Sequence, residues 1–354
     1  MDHIKILKRA LSITVNYRAL WIFGMLLALT TARGSGNGGG SGGGSNNPST
    51  NNNFPGFNGQ NPFNGLLHPS PALINMFIGI AIGLACLVLI LIVAGTIARY
   101  VSETALIRMV DEHENSGEKL TVRQGFRLGW SHMAWKMFLM DLLVGLSFII
   151  SFLVLLALAA LPLLAWLTKN TPLQVMGTII SVGLILLLVF AAVIAGLAVT
   201  LIVLFARRAC ALEDLGVRAS LRRGYEMVKA RLGDVILMGV MMFGIGLLWT
   251  VVSFIAILAV VIAAVVLAGV PALLAGSIAG FFTQGATPWI VAGVVGVPIF
   301  LVAVIIAGAL ITGWLKVYSS SAWTLTYREA RALEQVKATD ELPAPDKSQP
   351  APAV

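Results

Sequence analysis

Five stretches of this chain are longer and more apolar than a soluble fold can conceal: Ala72–Ile97, Met137–Leu167, Val175–Phe205, Val235–Leu267 and Trp289–Leu315. A helix needs about 20 apolar residues to cross the hydrocarbon core of a bilayer, and each run supplies that many. In hydrocarbon the backbone must satisfy its own polar groups, which restricts single runs of this kind to helices. Ala19–Ala32 is apolar but shorter, and reads as the first of about six spans. The chain is 58% hydrophobic and 11% charged, whereas a soluble domain carries about a quarter charged residues. The expected fold is therefore all-α: a polytopic transmembrane helix bundle, with residues 1–336 as one integral membrane domain.

The segments between the runs have distinct characters. Residues 1–18 place Ile4, Leu7, Leu11 and Val15 at helical spacing among Lys5, Lys8, Arg9 and Arg18, the pattern of an amphipathic helix. A cleaved signal peptide is the rival reading, with cleavage after Ala32. The length and patterning of the basic segment favour retention. Gly34–Gly65 is rich in Gly, Ser and Asn and cannot bury a core, so 33–70 reads as a flexible external loop. By composition, 337–354 reads as a disordered tail. Gly269–Pro271 breaks the fifth run, and Ala272–Thr287 reads as its connection to the sixth.

Charge sets the expected orientation. With both termini cytoplasmic, only Arg33 and Lys169 of the 24 Lys and Arg residues fall outside. Basic residues resist translocation, so this distribution points to a multi-pass protein of the cell membrane with N and C termini inside. The same asymmetry accounts for the net charge of +8. No nucleic-acid fold motif accompanies that charge, and no nucleic-acid partner is expected.

A basic motif recurs. Val122–Trp130 reads VRQGFRLGW and Val217–Tyr225 reads VRASLRRGY, so Val122, Arg123, Arg127 and Gly129 return as Val217, Arg218, Arg222 and Gly224 at one offset. Arg99, Ser102, Ala105 and Glu112 likewise match Lys316, Ser319, Ala322 and Glu329 at another. The reading is three parallel hairpin repeats, each introduced by a short cytoplasmic helix in the membrane interface. Val217, Leu221, Tyr225 and Val228 share one face, as do Val122, Phe126, Trp130 and Met133. Candidate contacts with anionic headgroups, or with a cytoplasmic or membrane protein partner, are Arg123, Arg127, Trp130, Arg218, Arg222, Arg223 and Tyr225.

These repeated helices, the Trp135-Lys136 pair at the start of a span, and Trp21-Ile22-Phe23-Gly24 together resemble a group of uncharacterised six-helix membrane proteins. That group is like the membrane domain attached to some glycerophosphodiester phosphodiesterases. The resemblance implies a membrane module over most of residues 1–330. The catalytic barrel of those enzymes has no room here, and its His-Arg dipeptide is missing, so no phosphodiesterase activity is implied.

Motifs for chemistry are sparse. HExxH and P-loop patterns are absent, and GxSxG occurs only inside the glycine linker, without the strand and helix a nucleophile elbow needs. Asp111-Glu112-His113-Glu114 lacks a second His or Cys at metal-ligand spacing and reads as a solvated loop. No metal and no cofactor are expected. Asp141 is the one acid well inside an apolar run; a buried carboxylate there is a functional candidate, or a partner for a base at the interface. The expected function is a non-catalytic membrane scaffold or subunit, with a transporter or lipid-handling protein as the alternative.

Overall fold

The computed structural model describes residues 2–31, 71–168, 170–282, 285 and 287–340. The expected external loop and most of the expected tail lie outside the described residues. Among the described residues there are nine α-helices and no strand. They are α1 (His3–Asn16), α2 (Ala19–Thr31), α3 (Pro71–Ser116), α4 (Val122–Gly129), α5 (His132–Ala160), α6 (Thr171–Glu213), α7 (Val217–Ala230), α8 (Leu232–Phe282) and α9 (Thr287–Asp340). A 3₁₀ segment, Leu161–Leu167, caps α5.

Five of these helices are long and apolar enough to cross a membrane. The α1–α2 pair makes a sixth if it counts as one span, although its axis turns by 98° at Tyr17-Arg18. The large apolar side chains of the long helices remain exposed along much of their length, as Leu186, Leu248 and Phe254 do. Such surfaces are tolerable only in an apolar solvent.

The chain divides into two compact units, Thr30–Arg99 and Met1–Leu29 with Tyr100–Val354. The first carries the apolar part of α3, whose side chains from Ile78 to Val93 are exposed. The second contains a packed core at its charged end. Ala105, Leu106 and Met109 of α3 meet Phe205 and Ala209 of α6 and Trp323 and Tyr327 of α9, with Ile6, Ile13, Leu20 and Phe23 of α1 and α2 completing the cluster. The Phe205 ring lies edge-on to Trp323 and tilted against Tyr327, with centroids 6.1 Å away in each case. Two hairpins leave this core. Along α5–α6, the Ser181 hydroxyl donates to the Ala159 carbonyl at 2.7 Å. Along α8–α9, the Trp249 and Trp314 rings stack at 4.7 Å.

Several boundaries differ from the sequence reading, each for a physical reason. Asp111-Glu112-His113-Glu114 is not a solvated loop: α3 continues as helix to Ser116, and ahead of the acids Tyr100, Val101, Ala105, Leu106, Met109 and Val110 are buried. Their three- and four-residue spacing is that of a core-facing helix. The expected break at Gly269–Pro271 also does not occur, and α8 runs through Pro271 to Phe282. Proline forfeits one hydrogen bond, but ending the helix in an apolar solvent would strand several. At the other end of the chain α9 runs past Val336 to Asp340, into the segment expected to be tail.

Candidate functional site: two basic helices and a charged cluster

The two motif copies fold as α4 and α7, the short helices that precede α5 and α8. A capping box starts α4: the Gln124 amide donates to Thr121 Oγ1 at 3.5 Å, and the Thr121 amide donates to Gln124 Oε1 at 2.8 Å. The Tyr17 hydroxyl, donating to the Leu120 carbonyl at 2.9 Å, fastens the preceding turn to the α1–α2 elbow. Burial pushes the Tyr17 phenol up to about 12. By contrast α7 begins at Gly216, with no side-chain cap.

Each helix turns a face of small residues toward the protein. Gly125 and Gly129 are the buried residues of α4, and Ser220 and Gly224, their counterparts under the motif offset, are buried in α7 beside Met227 and Val228. The approach is close. A Cβ on Gly129 would lie 2.4 Å from the Val101 carbonyl oxygen, and one on Gly224 would lie 2.8 Å from the Ile202 carbonyl oxygen. Only glycine permits backbones to meet in this way. Thus α4 lies on the charged end of α3, and α7 lies on the charged end of α6.

This inner face rotates the other residues away from the simple two-face pattern. Arg123, Arg127 and Trp130 are exposed, as are Arg218, Arg222 and Tyr225. Phe126 and Trp130 are exposed together, their rings stacked with centroids 6.1 Å apart. Val228, expected beside Tyr225, turns inward, while Tyr225 is half-exposed. Arg223 lies on the inner flank, where it bonds Glu334 of α9 at 2.7 Å and approaches Glu213 of α6 at 3.7 Å. Burial opposes its charge, but Glu334 and then Glu213 outweigh that effect and raise its pKa above the ordinary arginine value. Arg222 pairs with Glu226 one turn on, at 2.8 Å. Among the described residues, Arg123 and Arg127 form no ion pair.

Asp141 belongs to a charged cluster where α3, α5 and α6 meet. Its Oδ1 accepts from Arg207 Nε at 3.1 Å and its Oδ2 from the Tyr100 hydroxyl at 3.0 Å, while Arg207 Nη1 donates to Glu103 at 2.6 Å. Arg208, buried alongside, donates to the Leu204 carbonyl. Further ties cross the same end of the unit. Arg328 of α9 bonds both Asp111 and Asn115 of α3, and the Tyr327 hydroxyl donates to Glu213 at 2.6 Å. Glu114 pairs with Arg9 of α1 at 2.9 Å. Two of the three acids around His113, Asp111 and Glu114, are thus spent on arginines, and among the described residues no group of three or more His, Cys, Asp or Glu gathers as a metal set.

The sequence singles out Asp141 but carries no motif that joins it to Arg207. The missing signal was register. Asp141 lies just inside the start of α5 and Arg207 near the end of α6, so an antiparallel hairpin brings them to one level.

Helix length, hydropathy and outward apolar surface define a multi-pass membrane protein. Residues 14–325 match a family described as "Family of unknown function (DUF7544)", and the chain belongs to that family. No curated protein and no solved structure matches it. The match carries no link to glycerophosphodiester phosphodiesterases, and the resemblance to their membrane domain rests on motif pattern alone.

Proposed function

We propose that the protein is a non-catalytic membrane scaffold, built as three parallel hairpin repeats with both termini cytoplasmic. The observation that carries this reading is the state of its ionisable groups. Asp141, the acid a membrane enzyme or polar-solute transporter would need free, shares its oxygens between Arg207 and Tyr100. A part-buried pair bonded at several atoms holds its helices in register and offers no free carboxylate. Three features support the repeat. The basic helices match in sequence, their small inner residues match in position, and each packs on the long helix that precedes it. The third unit closes the set, since α1 packs on α9, and the Asp2 amide donates to Glu329 at 3.1 Å. The cytoplasmic platform formed in this way would hold a soluble or membrane partner.

The test is purification in mild detergent followed by mass spectrometry of retained proteins and lipids. A stoichiometric protein partner is expected. A specific lipid without a protein would favour the alternative of lipid handling. One observation favours that second reading: α8 carries no charge from Val235 to Phe282, a length of roughly 70 Å at 1.5 Å per residue. The hydrocarbon core is about 30 Å thick, and tilts of up to about 40° do not absorb such an excess.

A further inference from the structure

We propose that α4 is a headgroup site for a single anionic phospholipid, and that α7 is not. Arg123 and Arg127 stand one turn apart on the outer side of α4, where guanidinium groups can converge on one phosphate. Neither has an ion pair among the described residues, and the segment Thr121–Ser131 contains no acid. Phe126 and Trp130, exposed and stacked, lie beside them. Together with Val122 and Gln124 these residues line an open concavity of about 970 Å³. Aromatic rings next to basic groups suit the level of a membrane where acyl chains give way to headgroups. Charge complementarity then selects a lipid with a net negative headgroup over a zwitterionic one.

The equivalent face of α7 differs where it matters. Arg222, which matches Arg127, is already bonded to Glu226, and Tyr225, which matches Trp130, lies under Lys229 at 5.9 Å. Its positive charge is partly neutralised from within the helix. Rotation of α4 is fixed by Gly125 and Gly129 against its neighbours, so its arginines hold one direction.

The inference rests on the interfacial placement of the short helices proposed above, but not on which side of the membrane they occupy. Nanodiscs expose both leaflets and therefore separate the two questions. The full-length protein would be reconstituted in nanodiscs containing brominated phosphatidylglycerol or brominated phosphatidylcholine. The Trp130 contribution to fluorescence is isolated by difference from Trp130→Phe. Quenching of that contribution should be stronger with the anionic lipid. Its preference should fall about fivefold for each of Arg123→Gln and Arg127→Gln, survive Arg127→Lys in part, and be unchanged by Arg222→Gln. Inorganic phosphate at matched concentration should not abolish it, because the site takes phosphate held in a bilayer. Equal quenching by the two lipids, or equal losses from Arg127→Gln and Arg222→Gln, would overturn the proposal. Wild-type-like elution of each variant on size exclusion confirms that a lost preference reports the site.

Discussion

The helices α4 and α7 carry one motif and present it differently. Both press two small residues onto a long helix, and both carry arginines at matching positions. In α7, the extra Arg223 reaches back to Glu334 and Glu213, and Arg222 finds Glu226. At the position matching Arg223, α4 has Leu128, and Arg123 and Arg127 form no ion pair among the described residues and lie beside two exposed rings. One copy is stitched into the protein; the other is left facing its surroundings. A motif can therefore preserve a packing contact while its outer face is released for a separate role.

The shared inner face should give the largest effect. Gly129→Leu and Gly224→Leu each force a side chain against a backbone carbonyl, and each should cost about 3 kcal/mol, seen as a large fall in the detergent-solubilised melting temperature. Unequal losses would mean that only one copy needs the close approach.

Next comes the difference on the inner flank. Arg223→Gln takes from Glu334 its arginine and leaves Glu213 with Arg331 at 3.6 Å, and should cost about 1–2 kcal/mol, between exposed and buried pairs. Glu334→Gln should add little on top of it, which a double-mutant cycle measures. Leu128→Ala in α4, which removes no charge partner, should leave the salt dependence of melting unchanged.

A smaller effect tests the fastening that α4 has at its start. Tyr17→Phe should cost about 1 kcal/mol through the hydroxyl bond to Leu120. It also carries a pH signature. An unfolded tyrosine titrates near 10, and the folded group is pushed up to about 12. The stability from the neutral phenol is thus fully present below about pH 10. It is lost as pH rises toward the folded value. Melting temperatures of wild type and Tyr17→Phe should converge across that window; a gap that stays constant would show that Tyr17 does not titrate there.

The smallest stability effect belongs to the outer faces. Arg127→Gln and Arg222→Gln should both leave the melting temperature unchanged, since exposed substitutions away from packing features lie within about 0.5 kcal/mol. A clear fall for Arg127→Gln alone would reveal a protein contact at α4 and remove the contrast.

Much of this architecture was legible in the sequence because the bilayer imposes coarse rules. Length and hydropathy marked the five long helices, and periodicity marked α1, α4 and α7. The sequence pattern was less informative where helices leave the membrane. Residues 100–116 look polar by composition, yet Ala105, Leu106 and Met109 form one side of a packed core. Pairings such as Arg328 with Asp111, or Arg207 with Asp141, join residues far apart along the chain and depend on register between helices. The inward turn of Val228 and Arg223 escaped the two-face reading because Ser220 and Gly224 carry no hydrophobic signal. Small residues mark close contact by what they lack.

The account depends most on both short helices lying on the cytoplasmic side, and impermeant thiol labelling measures that directly. In a background lacking Cys86 and Cys210, single cysteines would be introduced as Arg127→Cys, Arg222→Cys and Thr287→Cys, and right-side-out membrane vesicles treated with a charged maleimide. The account predicts immediate labelling at 287, with labelling at 127 and 222 only after permeabilisation. Labelling at 127 or 222 in intact vesicles would contradict it.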